Sequence, residues 1–167
     1  MPTTHTVTDS PIGPLTLVAR DGHLTGLFMD DQRHRPDPAV FGEPAQREFG
    51  AVIEQLEAYF AGELTEFDVP LALEGTDFQK RVWAALCDIP YGTTISYGEL
   101  ASRVGNPKAS RAVGLANGRN PVGVIVPCHR VVGSTGSLTG YGGGIERKRW
   151  LLDHERARLE PRLLALR

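Results

Sequence analysis

An α/β domain followed by a mainly helical, winged helix-turn-helix-like domain is the fold class this sequence predicts, and three observations predict it. Two apolar runs, LTLVA (15–19) and LTGLFM (24–29), flank Asp21-Gly22, a dipeptide that favours the positive φ values of a tight hairpin turn. Helix-start signals then recur in the second half, at TDFQ (76–79) and SYGE (96–99), where a hydroxyl residue is followed three positions on by Gln or Glu. Charge divides at the same place: residues 1–75 hold 4 Lys/Arg against 13 Asp/Glu, and residues 76–167 hold 14 against 7. Two domains, 1–75 and 76–167, are therefore expected, and the basic one is the half expected to meet a polyanion.

Residues 1–30 read as a hairpin or meander. RHRPDPAVFGEP (33–44), with three prolines, reads as a surface loop. From Ala45 to Ala61 the apolar residues Phe49, Val52, Ile53, Leu56, Tyr59 and Phe60 recur at helical spacing, and Gly62 closes a helix able to cover the sheet. The next helix starts at Thr76 and turns Phe78, Val82 and Leu86 to one side until Pro90. A short helix follows from Ser96 through Val104. Gly105-Asn106-Pro107 then supplies a turn, with Asn106 as N-cap and Pro107 at the first helical position of a helix through KASRAVGLAN (108–117). Two short helices joined by a tight turn form a helix-turn-helix. VGVIV (122–126) reads as a buried strand ending at Pro127, and GSTGSLTGYGGG (133–144) as a wing or hairpin before a closing helix from Glu146 to about Arg158.

The 167-residue chain is 41% hydrophobic, enough for one domain or two small ones with real cores. No apolar stretch approaches the roughly 18 to 20 residues of a membrane span, and the start MPTTHTVTDS lacks the pattern of a signal peptide. A cytoplasmic location without membrane association is the expectation. The two cysteines, Cys87 and Cys128, give no disulfide framework and cannot supply a four-ligand zinc site alone. Reduced thiols and no bound metal are expected.

Cys128 and His129 stand side by side in VPCHRV (126–131). A thiol near a histidine and a basic surface loses its proton more readily than a free one, which makes Cys128 a candidate nucleophile. On an extended backbone the His129 side chain points away from Cys128, so a bend or a bridging water has to connect them. Glu155, in LLDHE (151–155), is the carboxylate expected to orient His129. His154 reads as a surface residue, and Cys87 as a small buried hydrophobe.

PCHRV together with SYGELA, RAVGLANGRNP, LTGYGGG and RKRWLLDHE resembles the methylated-DNA-protein-cysteine methyltransferases, also called O6-alkylguanine-DNA alkyltransferases. The matching motifs run through residues 76–158 almost without gaps; the acidic half resembles the family's ribonuclease H-like sheet-plus-helix domain more loosely. The resemblance implies direct DNA repair, in which Cys128 takes the alkyl group from O6 of guanine, or O4 of thymine, irreversibly and once. His129 would deprotonate Cys128 through a water, with Glu155 holding His129. Tyr97 would help rotate the nucleotide out of the helix, Arg111 would be the finger that fills its place, and Asn120 the hinge between the DNA-binding motif and the active segment. Tyr141, Val131 and Gly142 would line the substrate pocket. Double-stranded alkylated DNA is the implied partner, bound in the minor groove, without cofactor. A monomer in solution is expected, with cooperative binding along DNA left open.

The residues fit these roles physically. Attack on a carbon hidden in the base stack requires extrusion of the nucleotide, at a cost of a few kcal/mol, roughly. Ala112 and Gly114, with their small neighbours, let the Arg111 helix approach DNA closely. Lys108, Arg119, Arg130, Arg147, Lys148 and Arg149 are candidates for phosphate contacts. Two departures matter. The first half has no cysteine, so the structural zinc site of some relatives is absent. Gly142 stands where some relatives have serine, which suggests a more open pocket. The alternatives are a non-catalytic module that binds damaged DNA or regulates transcription, against which stands the intact Cys-His pair, and a Cys-His hydrolase, against which stand the surrounding DNA-binding motifs.

Overall fold

The computed structural model describes residues 2–138 and 140–165, with the backbone alone for 159–165. Strands β1 (Thr3–Thr8), β2 (Leu15–Arg20) and β3 (His23–Met29) form the expected antiparallel meander. Asp21 (φ 53°) and Gly22 (φ 78°) both adopt the left-handed conformation that a two-residue primed turn requires. The 33–44 segment is more structured than a loop. Pro38–Phe41 forms a 3-10 turn capped by Asp37, and β4 (Glu43–Pro44) pairs in parallel with β1. Phe41 stacks on Phe28 at 5.6 Å, and burial of that ring holds the segment on the outer face of the sheet.

The helix predicted from Ala45 begins as a 3-10 turn at Arg47–Phe49 and continues as α1 (Gly50–Phe60). Gly62, at φ 78°, ends it. α2 (Asp77–Cys87) opens with the full capping box, in which Thr76 accepts from the Gln79 amide and the Gln79 side chain accepts from the Thr76 amide. α3 (Tyr97–Arg103) is capped by Ser96. α4 (Ser110–Gly118) starts later than the sequence suggests: Asn106–Ala109 makes a separate turn, and Ala109 occupies the N-cap. Trp83 Nε1 donates to the Ala116 carbonyl at 2.9 Å, fixing α4 on α2. α5 (Ile145–Ala165) closes the fold.

VGVIV is not a strand. Val122 makes a single parallel bridge to Leu27, and the chain then turns back on itself with Val124 at φ 70° and the Val126 amide donating to the Val122 carbonyl. A continuous apolar run shows that the segment is buried, and a compact turn buries it as completely as a strand would. The glycine-rich 133–144 segment forms turns, with Gly133 N–H on the Ser137 carbonyl, and no hairpin among the described residues; Thr139 lies outside them. A short parallel pair, β5 (Ile95–Ser96) with β6 (Val131–Val132), ties the start of α3 to the segment after Cys128.

One hydrophobic core runs through both halves, from Leu15, Leu17 and Leu27 of the sheet, through Leu56 and Tyr59 of α1, to Val82, Val113, Val126 and Leu151. The inter-half seam is also hydrogen-bonded: Leu27 N–H donates to the Pro121 carbonyl and Gly123 N–H to the Leu27 carbonyl. Among the described residues no helix is long and apolar enough to cross a membrane.

Candidate active site

Cys128 opens a 3-10 turn, Cys128–Arg130, rather than following a strand. The turn supplies the bend that an extended backbone lacks, so Cys128 and His129 both face inward. Cys128 is 6% exposed and His129 and Glu155 are fully buried. Asn120 clamps the preceding turn, its Nδ2 donating to the Val126 carbonyl (2.8 Å) and its Oδ1 accepting from the Val122 amide (3.0 Å). Asn117, which the sequence did not single out, donates from Nδ2 to the Cys128 carbonyl at 3.4 Å.

His129 Nε2 meets Glu155 Oε2 at 2.7 Å. With Nε2–H donating to the carboxylate, Nδ1 carries the lone pair; it is buried and without a protein hydrogen-bond partner. Arg130 grips the same carboxylate from Nε (2.8 Å to Oε1) and Nη2 (3.0 Å to Oε2), and donates from Nη1 to the Ile89 carbonyl at 2.7 Å. Tyr59 Oη adds a 2.6 Å hydrogen bond to Oε2, and the Gly92 amide one of 3.2 Å to Oε1.

Burial alone raises the Glu155 pKa, but the hydrogen bond from His129, and then the hydrogen bonds and charge of Arg130, overcome it and hold the carboxyl far below the usual carboxylate range. For His129, burial lowers the pKa and wins over the hydrogen bond and charge of Glu155, which raise it, so the resting imidazole is neutral. Burial pushes the Cys128 thiol up, offset in part by a hydrogen bond from Asn120 and the charge of Lys148. The resting site therefore holds a thiol beside a neutral base.

Lys148 and Arg130 correct the expected phosphate contacts. Lys148 is fully buried on α5, donates to the Val131 carbonyl at 2.5 Å, and lies 6.0 Å from the centre of the Tyr97 ring. Burial lowers its pKa to about 8, the nearby Cys128 opposing the shift. Arg147 is also engaged, on the carbonyls of Ile12, Asp30 and Gly143. Lys108, Arg119 and Arg149 remain exposed. Internal carbonyls left by turns are as good a destination for a cation as a phosphate, and composition does not distinguish them.

A cleft of about 10 Å³ beside Cys128 is bordered by Met29, Gln32, Asn120, Tyr141, Gly142 and Gly143. Tyr141 is buried, and its hydroxyl has no protein partner. Val131 sits in β6, fully buried and off the cleft wall. Tyr97 is half-buried at the head of α3. A Cβ at Gly140 would come within 2.9 Å of its hydroxyl, and one at Gly114 would sit 3.7 Å from its ring. Arg111 and Ala112 are exposed on the first turn of α4, with Leu115 exposed one turn on. Cys87 is exposed, not the small buried hydrophobe expected, and His154 is half-buried, hydrogen-bonded to the Tyr59 carbonyl (2.8 Å) and stacked on Trp150.

This arrangement has known counterparts. Residues 4–73 match the family described as 6-O-methylguanine DNA methyltransferase, ribonuclease-like domain, and residues 77–157 match its DNA binding domain. A Mycobacterium bovis protein named methylated-DNA--protein-cysteine methyltransferase is 60% identical over 150 residues, 90% of each chain. One of the same name from Methanosarcina acetivorans is 54% identical over 154 residues, 90% of this chain and 97% of its own. The crystal structure of Mycobacterium tuberculosis OGT in complex with DNA superposes with a TM-score of 0.89 at 58% identity, covering 93% of this chain and 94% of that one. With both halves matched and the buried Cys-His-Glu arrangement in place, the chain belongs to the 6-O-methylguanine DNA methyltransferase family.

Proposed function

We propose that the protein repairs alkylated double-stranded DNA directly, moving the alkyl group from O6 of guanine, or O4 of thymine, to Sγ of Cys128. The observation that carries the reading is His129, oriented by Glu155 through Nε2, with Nδ1 buried and without a protein partner, in the residue that directly follows Cys128, the only buried thiol among the described residues. The Cys128 proton passes through a water to Nδ1. Sγ then attacks the alkyl carbon in line, the C–O6 bond breaks with its electron pair going to the base, and the base takes up a proton. A thioether remains on Cys128. Nothing in the site reverses a C–S bond, so each molecule acts once.

The surrounding residues take the supporting roles in this reading. Arg111 and Ala112, exposed at the start of α4, suit entry into a minor groove, where Arg111 fills the place of the extruded nucleotide. Tyr97 rotates the nucleotide and supplies the proton to the base. Asn120 is the hinge that sets Cys128 relative to α4. Tyr141 and Gly142 hold the flipped base, which needs the cleft to widen, since about 10 Å³ is roughly the room a single water takes. Residues 1–75 act as the supporting domain and 76–167 as the DNA-binding and acceptor domain. The protein works as a cytoplasmic monomer, without cofactor or metal; relatives named for methylated DNA and the DNA complex of the M. tuberculosis neighbour support DNA as the partner.

Incubation with an oligonucleotide carrying O6-methylguanine tests the proposal by intact mass. One methyl gain per molecule, lost in Cys128→Ser, is expected. Repeated turnover points to a hydrolase, and tight binding with unchanged mass to a non-catalytic module.

A further inference from the structure

We infer that Tyr59, from the N-terminal half, is a positioning residue that keeps His129 unprotonated and ready to act as base. The inference rests on Cys128 being the alkyl acceptor. Its observation is the sharing of a single oxygen: Glu155 Oε2 accepts from Tyr59 Oη at 2.6 Å, from His129 Nε2 at 2.7 Å and from Arg130 Nη2 at 3.0 Å.

Tyr59 is held for this contact. It is fully buried, and its ring is packed by Phe60 (5.1 Å), Phe67 (5.3 Å), His154 (5.4 Å) and Tyr91 (6.2 Å) between centroids. Its backbone carbonyl is itself fixed by His154 Nε2. The hydroxyl, raised in pKa by burial and then by the Glu155 charge, stays protonated and can only donate to the carboxylate.

A carboxylate that accepts from several donors has less electron density for each. Tyr59 and Arg130 together therefore weaken the pull of Glu155 on the imidazolium form of His129. The other groups facing this cluster are Lys148 and Arg130, which disfavour a positive His129, and Tyr91, which faces Glu155 and Tyr59. Without Tyr59, Glu155 Oε2 would serve His129 more strongly. His129 would then bind a proton at higher pH, and a protonated imidazole cannot accept the Cys128 proton.

Tyr59→Phe keeps the packed ring and removes only the donor. In the ¹⁵N-histidine NMR titration the His129 midpoint should rise by about half to one pH unit, a fraction of what a hydrogen bond to a charged group is worth. The rate of alkyl transfer from free O6-benzylguanine should fall several-fold on the acidic limb and stay level on the plateau. A 3-fluorotyrosine introduced at position 59 donates more strongly and should move the midpoint down, which keeps the test open should Tyr59→Phe not fold. An unmoved His129 midpoint, or a rate loss equal at every pH, would overturn the inference and leave Tyr59 as packing. A wild-type protein that gains no alkyl mass would overturn the proposed function instead, and the His129 titration would still report on the Tyr59 contact.

Discussion

At Gly142 the backbone leaves room for a side chain. A Cβ there would lie 3.5 Å from the Gly118 carbonyl oxygen and 3.6 Å from that of Arg33, ordinary contact distances, so serine fits without strain. It would narrow the cleft over Cys128. Gly142→Ser should therefore slow transfer of a benzyl group several-fold while leaving methyl transfer within about twofold, measured as single-turnover rates on the two adducts. Equal rates on benzylated guanine would remove Gly142 from the determinants of adduct size. Legibility at this scale follows the reach of each interaction. Cys128, His129 and Glu155 were readable as residue types, because a lone Cys-His pair and a downstream carboxylate have few other chemical uses. Residue type alone did not bring Glu155 to His129, 26 positions away; the family resemblance implied that contact. Arg130 and Lys148 were misread as surface charges, since their acceptors lie 41 and 17 positions away.

Among the elements, α4 carries the clearest division of labour. Val113 and Ala116 are buried against the rest of the fold, while Arg111, Ala112 and Leu115 face outward. Arg111 thus has no structural task on the buried side. Arg111→Ala should lower repair of O6-methylguanine in duplex by about 100-fold or more, if it offsets an extrusion cost of a few kcal/mol. Reaction with free O6-benzylguanine should change by less than about threefold, because a free base needs no flipping. Comparable losses on both substrates would assign Arg111 to folding. The capping signals at Thr76 and Ser96 located the starts of α2 and α3 to within a residue, since caps are local chemistry. VGVIV failed for the opposite reason. Its single bridge to Leu27 and the left-handed Val124 are decided by the β3 edge nearly a hundred residues earlier.

For the whole molecule, the buried Glu155 cluster makes stability fall on the acid side. Buried neutral His129 titrates below its ordinary value of 6.5, so the unfolded chain binds that proton more readily, and the stability it contributes is lost as pH falls below 6.5. Glu155 titrates below its ordinary 4.5, and its contribution, present above that value, is lost as pH falls through its folded-state value. Thermal midpoints should therefore decline from about pH 6.5 downward and more steeply below about pH 4.5. Glu155→Gln should cost about 3 kcal/mol or more at neutral pH by leaving Arg130 unpaired, and should flatten the acidic part of the curve. An unchanged slope would locate the acid sensitivity elsewhere. The order of an α/β half and a helical half was legible from periodicity, and the charge division from composition. The continuity of the core across residue 75 was not, because it depends on which faces of two separately readable halves meet.

The Glu155 cluster also has an order in time. A chain synthesised from its N-terminus makes Tyr59 first, then Gly92, then Cys128, His129 and Arg130, and reaches Glu155 only in the last helix. Until that helix docks, His129 has no carboxylate to fix its tautomer, and the thiol has no oriented base. Docking of α5 completes the core with Leu151 and brings Glu155 to His129 in the same step, so under the proposed function the once-used acceptor gains its oriented base last and an unfinished chain holds no activated thiol to waste.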